Sequence, residues 1–464
     1  MTPQKLTDYE RKRLENIRRN DELMSALKIQ SMAAQLSAST KRQRNETKSY
    51  KVSPQKKSKS ETPVVIRRSL RTRGMPPDSK GLADDFSDSV VRNPKSQSPA
   101  KVSTPRLGPI SMREACSCQE SDRPLIETIV GMENKGEVCG DGRVLSLESL
   151  TLDPENIARV VPGRIMNVRF FPCADSRMIV AGNKFGEVGF WNLDPKVEEE
   201  DGVYLYHPHS GPISGISIQP HCLSKVITSC YDGYIRMMDA EKEVFDLIYS
   251  SDDTIFSLSQ RSNDVKCLYF GEGRGGLSIW DERTGKCSSE WVMHEDRINS
   301  IDFNLENPNL MTTSSSDGSA CIWDLRIVNA DKPKTLTTIS HKRAIHSAYF
   351  SPSGRSLATT SFDDTVGIHS GPNFEDTSMI RHYNQTGRWI SSFRAIWGWD
   401  DSQIFIGNMK RGIDVISPAR KKTIFTLESP DVTAIPCRFD AHPYTVGMLA
   451  GATAGGQVYV WTMS

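Results

Sequence analysis

Short stretches in which apolar and polar residues alternate recur along the last two thirds of the chain. Examples are INSIDFN over 298–304 and IHSAYFSP over 345–352, and most follow a histidine. Alternation of period two is the pattern of a half-buried strand. Each stretch is followed by an apolar strand, a turn rich in Asp and Gly, and another strand. This order is most complete in LMTTSSSDGSACIWDLR, residues 310–326. Weaker copies are MIVAGNKFGEVGFWN (178–192), VITSCYDGYIRMMD (226–239), CLYFGEGRGGLSIWD (267–281), LATTSFDDTVGIHS (357–370), IFIGNMKRGIDVIS (404–417) and MLAGATAGGQVYVWT (448–462). Positions equivalent to Trp323 are 191, 238, 280, 323, 369, 416 and 461, spaced 47, 42, 43, 46, 47 and 45 apart.

That spacing and the Trp-Asp ending match the ~40–45 residue period of WD-type repeats. Three strands per copy are visible, a fourth is inferred, and the fold class expected is all-β, a seven-bladed WD-repeat β-propeller. A single blade has two apolar faces that only neighbouring blades cover, so the ring must close. RVLSLESL (143–150), ahead of the first blade, is the expected strand donor to the last one. Asp232, Asp317 and Asp364 sit in hairpin turns and read as structural, since Asp bonds local backbone there. The propeller is assigned to 161–464 and a propeller-packing segment with the closing strand to 106–160.

The first 105 residues follow other rules. LTDYERKRLENIRRNDELMSALKIQSMAAQL (6–36) predicts a charged helix with Thr7 and Glu10 as a capping box and Ile17, Met24 and Leu27 on one narrow face. It either packs that face on a partner or stays a marginal, solvated helix. Residues 37–105 are rich in Ser, Lys and Pro and are expected to be a disordered basic tail. The net charge of +1 hides an asymmetry: twelve Lys/Arg against two Glu between Lys41 and Arg73 give a local +10 and leave −9 for the rest. KRQR (41–44) with KKSK (56–59) has the form of a bipartite nuclear-import signal, and RRSLRTRG (67–74) adds four arginines able to neutralise phosphate. A solubilising basic linker is the alternative. Ser53 and Ser98 stand in S-P-x-K contexts where phosphate would reduce that charge.

Other classes recede. No signal peptide is visible, and no apolar run approaches the ~18 residues of a membrane span. Ten cysteines lack paired spacing, which together argues for a reducing intracellular compartment. Cys116 and Cys118 have no second Cys/His pair at zinc spacing. Neither a phosphate loop nor a nucleophile elbow nor a metal-ligand set is present, so no enzyme, cofactor or metal is expected, and the histidines are expected to bond within their blades.

In a WD-type blade the turn between the second and third strands and the link to the next blade emerge on one face. The turns carry Lys184, Arg274, Lys410 and Arg411, and the links carry Arg164, Arg297, Lys342, Arg343 and Arg388. A ring of nine cations would suit phosphates, against Glu272, Glu295 and Asp296 on the same loops. In RHYNQTGRWISSFRAIWGWD (381–400), Tyr383, Asn384 and Gln385 could stack on a base and bond its edge while Arg388 holds a phosphate. Trp389 and Trp397 read as core residues. On the opposite face, Trp323-Asp324-Leu325-Arg326 is a WDxR box, and Trp280-Asp281-Glu282-Arg283 a second.

The order LTDYERKRLENI, RRSLRTRG, FGEVGFWN, SSSDGSACIWDLR and HYNQTGRW resembles the WD repeat-containing protein 76 family, over most of the chain. That family is related to the small subunit of the damaged-DNA-binding complex and to yeast proteins that bind damaged DNA. The resemblance implies a nuclear propeller that binds double-stranded DNA, preferring ultraviolet-damaged DNA or bases such as 5-hydroxymethylcytosine. In the damage-binding relative a hairpin with an aromatic, a Gln and a His wedges into the duplex. Here the loop is Tyr383-Asn384-Gln385, with the histidine ahead of it as His382. Lys184 and Arg297 match positions that touch phosphate in that relative. The resemblance also implies that Trp323, Asp324, Arg326 and Arg283 serve docking on the adaptor of the cullin-4 ubiquitin ligase, with the 6–36 helix as a further contact. A monomeric DNA-binding factor is one expectation. The other is a scaffold or ligase substrate receptor that reads chromatin proteins such as histones without touching DNA.

Overall fold

The computed structural model describes Arg18 and residues 107–117, 121–132, 145–195, 201–328 and 333–463. Cα proximity divides the chain into residues 1–96 and 97–464, and all that follows concerns the second unit. Apart from Arg18, the helix expected over 6–36 and the tail over 37–105, with its basic clusters and Ser-Pro sites, lie outside the described residues.

Seven antiparallel sheets form the seven blades of the propeller, each with four strands in sequence order except the last. Blade 1 uses Ile165–Phe170, Met178–Asn183, Val188–Asn192 and Val203–Tyr206. Blades 2 to 6 open with the inner strands Ile213–Gln219, Ile255–Arg261, Ile298–Phe303, Ile345–Phe350 and Ile396–Trp397, and blade 7 with Pro436–Ala441. All seven Trp-equivalent positions fall within third strands. Second strands such as Leu357–Ser361 and Leu449–Thr453 are buried at every residue, because blades cover both of their faces. They therefore read as unbroken small and apolar runs, whereas the outer strand Lys286–Val292 alternates between exposed and half-buried positions.

The ring closes through the front of the chain, with a correction to the expected donor. Residues 147–149 of RVLSLESL form a 3-10 turn. Of the expected donor only its last residue pairs, as part of Leu150–Thr151, and a second piece, Ile157–Arg159, joins it along Gln457–Met463. Registers are Leu150 opposite Met463 and Ile157 opposite Tyr459. Asp153-Pro154 opens the intervening turn, and Pro, lacking an N–H, suits a break in a ladder.

A fifth strand, Ile110–Ser111, adds to the outer edge of blade 2 against Val244 and Phe245. Helix Arg123–Val130, with Pro124 in its first turn, turns Leu125 and Ile129 into a cluster with Phe171, Phe190, Tyr206 and Phe245. The Tyr206 hydroxyl donates to Asp122 at 3.2 Å, which secures the helix start to blade 1.

Histidines before the inner strands tie turns to sheets. In blade 4, His294 Nδ1 lies 3.1 Å from Asp317 Oδ2 and its Nε2 lies 2.7 Å from Thr313 Oγ1, which also accepts Trp323 Nε1–H at 2.8 Å. Blade 5 repeats this with His341, Asp363 and Thr359, and His369 stands in for Trp. In blade 2, His209 meets Thr228 at 2.8 Å. Burial pushes His209 and His346 down to about 3 and His369 and His442 down to about 4. Their folded values lie below the unfolded one, so their contribution is complete above about pH 6.5. It is lost as pH falls, by up to about 1.4 kcal/mol per unit for each. Asp302, pushed up to about 7 by burial, acts in the opposite sense but is outnumbered. The melting temperature is therefore expected to fall between pH 6.5 and 5. His209→Gln, which keeps a donor for Thr228, should make that fall shallower by calorimetry; an equal fall would mean that folded His209 already takes the proton.

Candidate nucleic-acid interface

Strand direction assigns every loop to one of two rims. First strands start from the rim that carries the interblade links, and the second-to-third turns return to it. Backbone bonds join the two kinds of loop: Lys184 N–H donates to Arg164 O at 3.0 Å, Ser316 N–H to Arg297 O at 3.2 Å, and Phe362 N–H to Ala344 O at 3.0 Å. Lys184, Arg274, Lys410 and Arg411 lie in the turns of this rim, and Arg164, Arg297, Lys342, Arg343 and Arg388 in its links.

Local contacts hold several of these side chains. The Arg297 guanidinium lies 5.4 Å from the Phe256 ring centre and donates from Nε to Ser316 Oγ at 3.0 Å. Lys184 Nζ sits 4.5 Å from the Phe185 ring centre, and Phe185, an aromatic in a turn, is 48% exposed. Arg274 Nε donates to Glu295 O at 3.0 Å. Arg343 Nη1 donates to Gln385 Oε1 at 2.6 Å. Arg411 adopts φ 73, a left-handed conformation that favours glycine, at an exposed turn position.

Among the described residues, none of these nine cations forms an ion pair. The Lys/Arg ion pairs of the blades gather at the other rim or just inside it: Arg177–Asp194, Lys242–Asp239, Lys266–Glu282, Arg283–Asp281, Arg326–Asp324 and Arg169–Asp440. The cations form a crescent rather than an even ring. Loops 382–395 and 408–412 hold the rim cations Arg388, Lys410 and Arg411 without an acid, whereas blade 2's rim loops lack Lys and Arg, and blades 3 and 4 add Asp252, Asp253, Glu272, Glu295 and Asp296.

The link 382–395 reaches blade 1, where Ser391 Oγ donates to Ile165 O at 2.7 Å and Arg164 Nη1 to Ile390 O at 3.4 Å. Two expectations change here. Asn384 is 2% exposed, with its amide donating to Ser361 O and Thr365 O at 2.8 and 3.0 Å, so it secures the loop and is not free to read a base. Trp389, expected in the core, is 94% exposed because the link carries it past the last apolar neighbour; Trp397 is buried. Tyr383 is 58% exposed. Gln385 is fastened to Asp364, which accepts its backbone N–H at 3.0 Å and its Nε2–H at 3.1 Å. Asp364 therefore braces the next link, while Asp363 serves His341. A cavity of about 500 Å³ opens beside this link, with Phe362, Ala344 and Ile390 as apolar lining and Arg343 and Arg388 among its polar residues.

On the opposite rim, Trp323 and Trp280 are buried in the blades. Asp324 receives both arms of Arg326, Nε–H at 2.9 Å and Nη2–H at 2.6 Å, which holds its carboxyl below the ordinary carboxylate range. Arg283 and Asp281 repeat the fork at 3.0 Å. Only the arginines of these boxes present a surface, 63% and 65% of each side chain.

Comparison with known proteins bears on the same segments. The family model "WD domain, G-beta repeat" matches residues 285–324 and 333–370, which contain the Trp323 and His369 hairpins. WD repeat-containing protein 76 of Xenopus laevis is 29% identical over 478 residues, covering 98% of this chain and 80% of that protein. The DNA damage-binding protein cmr1 of Neurospora crassa is 27% identical over 98% of both chains. The mouse WD repeat-containing protein 76 is 26% identical over 98% of this chain and 74% of its own.

The strained turn allows charge and conformation to be separated. Arg411→Gly removes an unfavourable φ and should leave the melting temperature unchanged or raise it, by up to about 1 kcal/mol of stability. In a filter-binding assay the same variant should bind DNA more weakly; unchanged binding would remove Arg411 from the interface.

Proposed function

We propose that this chain, similar over 98% of its length to WD repeat-containing protein 76 and to fungal DNA damage-binding proteins, is a nuclear DNA-binding propeller of their kind. It acts in the response to DNA damage and prefers damaged or modified duplexes. The observation that carries the reading is the contrast between rims: Arg and Lys on one are matched to carboxylates, and on the other they are not. Unpaired cations at a surface supply the counterion-releasing contacts that bind a phosphate backbone. Lys410, Arg411, Arg388, Arg343, Arg164 and Lys184 run as a crescent along one strand of the duplex, and Trp389 and Tyr383 stack on bases exposed by a lesion. Arg274, Arg297 and Lys342 lie further along the rim, and Gln385 positions Arg343. Names of the fungal relatives as DNA damage-binding proteins support the ligand class.

Duplex affinity measured against salt tests this. The full chain should give a steep slope of log K against log salt, and reversing Lys184, Arg297 and Arg388 to Glu should reduce that slope by about 0.9 for each phosphate no longer neutralised. A flat slope, or an unchanged one in the triple variant, overturns the reading. Trp389→Ala should weaken binding to damaged or 5-hydroxymethylated duplexes more than to plain ones. Because Ile110–Ser111 and helix Arg123–Val130 belong to the propeller, the tail's share is measured by removing residues 1–106 and no more.

A second reading has its own support on the opposite rim. Around Arg326 in blade 4, Leu305, Ile327 and Leu336 are all at least half exposed, an apolar surround suited to a protein partner. Through Arg326, with Arg283 as a second contact, the propeller docks on the cullin-4 ligase adaptor and serves as a substrate receptor for chromatin proteins such as histones. Arg326→Ala and Ile327→Asp should each reduce adaptor capture in a purified pull-down and leave DNA affinity intact; loss of both activities would indicate misfolding, and loss of neither would discard the docking site.

A further inference from the structure

Innermost strands of six blades line a cavity of about 270 Å³ in the central channel. Its charged lining divides along the strand direction. Away from the cationic rim, Arg169 pairs with Asp440 at 2.9 Å, and Asp302 accepts Phe350 N–H at 2.8 Å. Nearer that rim stand Arg394 and Arg438, and the compensation ends. Arg394 donates from Nη2 to Asn299 O at 2.8 Å and from Nη1 to the Tyr349 hydroxyl at 3.5 Å, and its buried Nε has no partner. Arg438, itself buried, donates only to backbone carbonyls, those of Met166 at 2.8 Å, Cys437 at 3.1 Å and Ser392. Among the described residues neither guanidinium forms an ion pair.

Two guanidiniums lining one cavity are mutually unfavourable. Burial first and the Arg394 charge second pull Arg438 down to about 9. The neighbouring His346 is 7% exposed, has no partner at Nε2, and is held neutral by burial and then by Arg394, Arg438 and Arg297. Buried cations in proteins are ordinarily paired, because carbonyl bonds do not recover the cost of removing the charge from water. The planar forks of arginine match tetrahedral oxyanions, and two of them match a dianion.

The geometry points to a small phosphate-class oxyanion, inorganic phosphate or a phosphomonoester, bound in the central channel between Arg394 and Arg438 with the Tyr349 hydroxyl as a further donor. This site is separate from the DNA interface: a duplex is too wide for a cavity of this volume, and the link 382–395 reaches over the mouth on the rim side. The bound dianion would neutralise the pair and brace blades 5 and 7 against the link into blade 6, since Tyr349 and Arg438 come from those two blades and Arg394 from that link.

The test titrates inorganic phosphate into the full chain by calorimetry at fixed ionic strength in chloride, with a phosphomonoester, phosphoserine, in a second arm. One saturable site is expected, weakened about tenfold or more in Arg438→Met and in Arg394→Met, as loss of a charge-assisted bond implies. Duplex binding should persist in both variants. If Arg438→Met does not fold, Arg394→Gln, which keeps a donor toward Asn299 O, replaces it. Tighter binding of phosphoserine than of inorganic phosphate would identify a phosphomonoester as the occupant, and the reverse would identify the free ion. The proposal is overturned if the wild type shows no saturable binding beyond the chloride control. It is also overturned if binding survives both channel substitutions, or if Arg388→Glu on the rim abolishes it while the channel variants do not.

Discussion

Burial of the second strands on both faces is the constraint from which the rest of the molecule follows. A sheet whose middle is dry on both sides has no stable existence alone, so each blade depends on the next and the series must return to its start. Small residues recur in the inner and second strands, where Ser, Thr, Gly and Ala let adjacent sheets meet closely, as where Gly215 packs on Leu258 and Gly271 on Ile298 of the following blade.

How well the chain could be read before the fold was seen depended on how local each signal was. The hairpins announced themselves because Asp-Gly turns and Trp-Asp endings are set by neighbours a few residues away. Closure was harder. Its donors are two fragments of two and three residues separated by Asp153-Pro154, too short to carry a period, and their partner lies at the far end of the chain. The rim cations could be placed from topology alone, since loop position follows from strand order. Asn384 and Trp389 could not: an Asn beside a Tyr and a Gln looks available, and a Trp beside an Ile looks buried. Only the path of the link shows that one is clamped by Ser361 and Thr365 and the other is carried out over the surface.

Electrostatics divides the molecule more sharply than its net charge of +1 suggests. Ion pairs on one rim satisfy their members internally and leave little field, whereas among the described residues the cations of the opposite crescent form no ion pair. Many acids on the cationic rim are committed to neutral tasks: Asp317 and Asp363 orient histidines, Asp364 secures a link, and Glu272 accepts from Tyr249 and Ser278.

The closing latch also sets an order on the birth of the molecule. Residues 150–159 leave the ribosome before the first blade, yet their partner, 457–463, follows about 300 residues later, after all the other strands of the propeller. Through most of translation the final edge does not exist and the early fragments wait unpaired, with the open end of a growing stack of blades exposed as an adhesive edge. Ring formation thus waits for residues 457–463 to emerge and joins the two ends of the propeller in a single step, and chains released short of residue 457 would remain permanently open.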